Sequence, residues 1–246
     1  AGIAAEELVL IVDIGGGTSD VSLVRVSPTR ARAADRSEDI LGNGGIRLGG
    51  TDFDRVLSMS EVMPNLGYGS TLNDGKALVP NHFFLDLATW HRINSLYTPK
   101  KAQELQHLMA DADRADLVGR LSHVIANHAG HALAMEVEAT KIALSDAPAH
   151  RMALKPLTEG PNPIATRERF EAALQPGLSR IATLTQEVMA QSGLKPADIG
   201  TVFMTGGSSG LPALHDLVAK TCPGVPIATG DMLGSVGAGL ALEARR

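Results

Sequence analysis

Asp13 stands two residues ahead of three consecutive glycines, Gly15, Gly16 and Gly17, which lead on to Thr18 and Asp20 between two apolar runs. Glycine costs conformational entropy, so a triplet between strands implies that the backbone comes close to something. Without Cβ atoms in the way, successive N–H groups can turn toward the oxygens of an anion and cradle it, and phosphate is the anion that fits. Thr18 adds a hydroxyl donor. Asp13, at a strand end, is placed to orient a hydrated Mg²⁺ or an attacking water; magnesium keeps most of its own waters and needs few carboxylates. The plainer alternative is a hairpin turn whose glycines only satisfy positive φ.

A second stretch, MTGGSSG from Met204 to Gly210, feeds an apolar strand through Gly206 and Gly207 toward a helix. A helix N-terminus preceded by glycines favours negative charge through its dipole and its unpaired N–H groups. Two such loops in one chain are stronger evidence than one. Two common phosphate motifs fail, however. GGIRLGGT (Gly44 to Thr51) offers Gly50 where a P-loop needs lysine, and the first loop offers Asp20 where the dinucleotide fingerprint needs a third glycine.

The elements that must position these loops follow from patterning. Residues 7–14 read as a buried strand and 19–27 as a valine-rich partner in a hairpin, with a third strand through about 33–41. The glycine-rich LGNGGIRLGG follows, and a helix begins at Thr51 or Asp52. Helical spacing covers 82–95, 99–111 and 114–146, and HRMALKPL reads as a returning strand. Thr166 caps a helix with apolar positions at Phe170, Leu174, Leu178, Ile181, Leu184 and Val188; Pro176 should break it in two and Gly193 should end it. Strand TVFMT, a helix opened by Pro212, strand VPIAT and a glycine-rich helix from Asp231 close the chain. This is α/β alternation around an inserted helical block.

Composition sets outer limits. The 246 residues are 44% hydrophobic but only 3% aromatic, so aliphatic side chains are expected to build the core. A net charge of -5 without a basic run argues against a nucleic-acid or anionic-membrane surface. Cys222 is the only cysteine, which fits a reducing, cytoplasmic compartment. The early apolar run LVLIV is too short to span a membrane. Because the chain starts at Ala1 and enters a strand almost at once, it is expected to be a piece of a longer protein.

The motifs together resemble the DnaK-type heat-shock chaperones, within the actin, sugar-kinase and chaperone ATPase superfamily. IVDIGGGTSDVSL resembles that family's second phosphate motif and RLGGTDFDRVL its Gly-Gly-Glu-Asp-Phe-Asp segment, with Thr51 in place of the glutamate. VEATKIALS is similar to its adenosine-flanking helix, VFMTGGSSGLPAL to its adenosine motif and GDMLGSVGAGLALEA to its closing helix. GGGT, MPxLG, KIALS and TGGS are shared in particular with the YegD-like bacterial branch.

The resemblance implies an actin-like (ribonuclease H-like) α/β ATPase lobe, the second of two. Residues 1–48 and 173–246 would form its core subdomain and 49–172 an inserted, mainly helical one. It implies MgATP or ADP as ligand, with Asp13 holding magnesium through water and Gly15, Gly16, Gly17 and Thr18 on the terminal phosphates. Asp20 would support that loop from behind. Glu138, Lys141 and Ser145 would meet the adenosine, Gly206, Gly207 and Ser208 the nucleoside and α-phosphate, and Asp231 the ribose pocket. The implied partners are the missing first lobe, client proteins and co-chaperones. Ile142 and Gly210 stand where many of these chaperones sandwich adenine between arginines, which removes a cation–π contribution. Two other readings use the same superfamily: a non-hydrolysing interaction module working through the helical block, and a small-molecule kinase, against which the GGTDFD segment speaks.

Other residues invite less. His123, His128 and His131 have no carboxylate or cysteine at ligand spacing in sequence. Met59, Met63, Met109 and Met135 read as packing residues, Lys100 and Lys101 as a solvated helix start, and Cys222 as a thiol without an activating partner.

Overall fold

The computed structural model describes residues 5–30 and 35–230. β1 (Glu7–Ile14) buries Leu10, Val12 and Ile14 completely and leaves the alternate positions half-buried, so one face carries most of the packing. β2 (Ser19–Val26) runs antiparallel to it from Glu7↔Val26 to Ile14↔Ser19, leaving Gly15 to Thr18 as the connecting turn. The third strand differs from the expected 33–41: β3 is Ile40–Ile46, inside the glycine-rich run. A Cβ at Gly42 would lie 2.7 Å from the Val188 carbonyl oxygen, and one at Gly44 2.9 Å from Leu184 Cδ1. The glycines therefore let a later helix rest directly on strand backbone, which outweighs their poor strand propensity.

From α1 (Gly50–Leu57) the chain enters the helical block. A small hairpin, β4 (Thr71–Leu72) and β5 (Ala77–Leu78), is followed by α2 (His82–Leu87) and α3 (Pro99–Asp111). The Thr98 side chain caps α3 by accepting from the Lys101 N–H. Continuous helix over 114–146 does not form; α4 (Ala115–Ala126) and α5 (Gly130–Asp146) are separated by a turn in which His128 takes φ 53. His128 stacks on Tyr97, and Gly130 lies so close to Ile93 and Tyr97 that a Cβ would meet them at 2.6 and 2.7 Å. Tertiary packing thus overrides the helical periodicity there.

β6 (Ala149–Arg151), α6 (Lys155–Thr158) and β7 (Ile164–Thr166) lead into α7 (Arg167–Ser192). The Thr166 hydroxyl accepts from the Arg169 N–H as a cap. Pro176 does not divide α7, which runs through all 26 residues. Proline removes one N–H donor, but buried Phe170 and Leu174 before it and Leu178, Ile181 and Val188 after it anchor both halves. β8 (Thr201–Thr205), α8 (Pro212–Thr221) and β9 (Ile227–Thr229) complete the described chain.

The strands order as β3-β2-β1-β8-β9, with β8 parallel to both β1 and β9. The chain is a mixed α/β fold that divides into two compact units, Ala1–Gly50 with Gln175–Arg246, and Thr51–Leu174. In the first, the fully buried apolar side chains are mainly aliphatic, Leu10, Ile14, Leu23, Ile181, Val188 and Val202 among them. The helical unit departs from the aliphatic expectation, since Phe53, Phe83, Phe84 and Phe170 are all at most 1% exposed there. Among the described residues no helix is long and apolar enough to cross a membrane. The helix expected from Asp231 lies outside the described residues.

Candidate functional site

The sheet unit brings three loops together around Asp13. The turn after β1 is closed by a Gly15 N–H to Thr18 carbonyl bond of 2.9 Å, and Gly15 in turn accepts from the Gly50 N–H at 2.9 Å. Gly49 lies against the turn so tightly that a Cβ would sit 2.6 Å from Gly17 N and 2.8 Å from Gly15 O. The buried Ser19 hydroxyl donates to Leu48 O at 2.7 Å and ties the two segments further. None of Gly15, Gly16 and Gly17 takes the left-handed φ that would by itself demand glycine. Gly16, Gly17 and Thr18 are exposed, and a Cβ at Gly16 or Gly17 would meet nothing within 4 Å. The plain positive-φ turn is therefore not the reason for these glycines.

Asp13 pairs in register with Asp20 across the antiparallel ladder and with Thr205 across the parallel one. Burial raises its carboxyl above the ordinary carboxylate value, and the negative charge of Asp20 raises it further. Beside it, Gly206 takes φ +89 at the end of β8; a Cβ there would lie 2.4 Å from Asp13 Oδ1 and 2.4 Å from Ile14 O. A turn through Gly206 to Leu211 follows, and α8 opens at Pro212 as expected. The Ser208 N–H donates to Ile14 O at 3.0 Å and holds the turn to β1, while the Ser209 N–H donates to Gly206 O and closes the turn on itself. Ser208 is buried and Gly207 exposed. Asp231 lies outside the described residues.

The helical unit carries the other expected residues on α5. Glu138 is exposed, Ser145 half-buried and Lys141 7% exposed. Lys141 Nζ lies 2.8 Å from Asp54 Oδ1 of α1, an ion pair that the sequence reading missed. Burial raises the Asp54 carboxyl, Lys141 opposes that shift, and the charge of Glu138 adds to it. Asp54 lies in the GGTDFD segment, but nothing in its local sequence points to Lys141 far along the chain. The Ser145 hydroxyl turns back to Lys141 O, and Arg167 donates to the Ser145 and Leu144 carbonyls at 3.0 and 2.7 Å.

Among the described residues no group of three or more His, Cys, Asp or Glu side chains could hold a metal ion. His128 stacks on Tyr97, His131 packs edge-on against Trp90, and His123 Nδ1 lies 3.5 Å from Glu159. Burial raises the Cys222 thiol pKa, the opposite of activation.

A family model described as Hsp70 protein matches residues 107–244. The chaperone protein HscA homolog of Burkholderia ambifaria is 27% identical over 241 residues, covering 98% of this chain and 29% of the relative. The homolog of Azotobacter vinelandii is 27% identical over 241 residues, covering 98% and 28%, and that of Aromatoleum aromaticum 24% over 246 residues, covering 98% and 29%. The chain thus spans under a third of the length of these relatives. On that match the chain belongs to the Hsp70 family.

Proposed function

We propose that this chain is the second lobe of the ATP-binding domain of a DnaK-type, YegD-like molecular chaperone. The sheet unit is the actin-like core subdomain, and the helical unit is its insertion. One observation carries the reading: Gly16 and Gly17 face open space that nothing in the protein requires, on a turn walled from behind by Gly49 and flanked by Asp13. Space kept clear of Cβ atoms in front of exposed backbone suits the close approach of phosphate oxygens. A single half-buried carboxylate does not make a metal centre, but it suits a magnesium ion that keeps its waters.

In this reading magnesium, when bound with ATP, neutralises charge on the terminal phosphates. Gly15, Gly16 and Gly17 hold those phosphates, and Thr18 donates to the γ-phosphate or orients the attacking water. Asp13 accepts from the waters around the metal, and Asp20 keeps the turn aligned across the ladder. Glu138, Lys141 and Ser145 serve the adenosine, Gly206, Gly207 and Ser208 the nucleoside side, and Asp231 the ribose. A first lobe supplies the remaining catalytic groups, and clients and co-chaperones are the protein partners. A cytoplasmic setting fits the single cysteine, and the charge balance fits a protein that does not bind nucleic acid or anionic membranes.

The test is steady-state ATP turnover by the two-lobed parent. Asp13→Asn should lower it on the order of 10²-fold or more while folding is kept. Unchanged turnover would remove Asp13 from its role. The commitment of Lys141 to Asp54 and the 59% exposure of Ile142 favour the non-hydrolysing interaction module as the second reading. It requires that calorimetry on the parent detect no nucleotide binding at all.

A further inference from the structure

The helical unit contains a cavity of about 230 Å³ between α1, the segment after α2, and α5. Leu87, Leu133 and Val137 give it apolar walls, Trp90 lines one side, and Asp54 and Glu138 supply carboxylates. Trp90 is 51% exposed, unusual for so large an apolar side chain; its ring is held edge-on by His131, with centroids 4.7 Å apart. The charges do not balance. Lys141 pairs with Asp54, while Glu138 has no hydrogen-bond or ion-pair partner among the described residues, and the two carboxylates repel one another. Two carboxylates thus face one ammonium, and the mouth of the pocket is net negative.

We infer that this cavity binds a small organic monocation: one ammonium or guanidinium group on an apolar body. The cation would balance Glu138 and lie against the indole, whose face attracts positive charge, while the body fills the space between the leucines and Val137. A neutral apolar ligand would leave the Glu138 charge unbalanced, and an anion would be repelled. The same chemistry is offered by a free amine and by a lysine or arginine side chain of a partner protein. This inference does not depend on nucleotide binding. Glu138 enters both readings, so the decisive variant is placed at Ala134, which lines the cavity and has no part in the nucleotide reading.

Trp90 is the only tryptophan of the chain, so its emission reports on the cavity without labelling. The full chain, free of nucleotide, is titrated with benzyltrimethylammonium and, separately, with its neutral isostere (2,2-dimethylpropyl)benzene. The cation should give a saturable change in emission that the neutral analogue does not match at equal concentration. Ala134→Leu, which fills the cavity, should abolish the change, and Glu138→Gln should raise the half-saturating concentration about three- to tenfold. Circular dichroism establishes that each variant is folded; if A134L is not, E138Q alone decides. Equal response to the neutral analogue, or an E138Q titration identical to that of the parent sequence, would overturn the inference. Displacement of the probe by N-acetylargininamide at lower concentration than by free alkylamines would assign the occupant to a protein side chain, and the reverse order to a free amine.

Discussion

The turn after β1 and the inner side of α5 are built by opposite means. Around Asp13 the geometry is set by backbone: Gly50 and Gly15 join two segments by a hydrogen bond, and Gly49 and Gly206 bring segments into contact that an added Cβ would push apart. On α5 it is set by side chains, with Lys141 reaching Asp54 and Trp90 standing over a cavity. The first arrangement should be damaged by adding atoms and the second by removing charge. Each can be tested separately, because the two lie in different units.

The largest effect is expected at Gly206. Gly206→Ala forces a Cβ onto Asp13 Oδ1 and Ile14 O while keeping φ +89, and should cost about 3 kcal/mol or more in denaturant unfolding. Gly193→Ala supplies the control in the same unit, since φ there is +69 but nothing lies within 4 Å. It should cost only about 1 kcal/mol, the conformational share alone. Equal costs at both positions would mean that close packing around Asp13 is not what Gly206 provides.

Next comes the α5 side. Lys141→Met leaves Asp54 largely buried beside Glu138 with no cation, and should lower stability by about 2 kcal/mol at neutral pH. The sign of its pH dependence is fixed. The Asp54 carboxyl already titrates above its ordinary value, and loss of Lys141 raises it further. The penalty of the variant is therefore fully present above that raised pKa and disappears as pH falls through it, when Asp54 becomes neutral. Melting temperatures of the two proteins should converge in acid. A constant gap would indicate that Lys141 contributes packing rather than charge.

The contrast also explains what could be read from the sequence. β1, β2, β8 and the loops between them were legible because a glycine triplet after a continuous apolar run has few structural meanings. β3 was misplaced because its glycines look like a loop until Leu184 and Val188 are seen against them. Pro176 and the break at His128 failed for the same reason: local rules gave way to burial on both sides of Pro176 and to the Tyr97 stack. On α5 the spacing of Glu138, Lys141 and Ser145 was visible, but neither Asp54 nor Trp90 could be, since both pairings are long-range. Backbone-built sites leave a signature in composition; side-chain-built sites leave theirs in tertiary contacts.

Asp13→Asn should make a smaller change, and of the opposite sign. The raised Asp13 carboxyl means that its charge is disfavoured in the folded protein, by burial first and Asp20 second. Removing the charge should stabilise the chain by at most about 0.5 kcal/mol at neutral pH, since solvent screens much of the effect. The gain should fade as pH falls through the raised Asp13 pKa, where the parent sequence becomes neutral as well. A destabilised D13N would mean that the carboxylate has a structural partner in the fold.

The smallest stability change separates structure from ligand most cleanly. Gly49→Ala pushes a Cβ to within 2.6 Å of Gly17 N, where only backbone can yield, and should cost about 2 kcal/mol. Gly16→Ala, on the same turn, meets nothing and needs no left-handed φ, so its stability should stay within about 0.5 kcal/mol of the parent sequence. If Gly16 is glycine for the sake of a phosphate, the same methyl should occupy the path of its oxygens. Nucleotide affinity of the two-lobed parent should then fall about tenfold or more with no change in melting temperature. A Gly16→Ala protein that keeps both stability and affinity would leave the open space before the turn without a purpose, and with it the observation on which the phosphate reading rests.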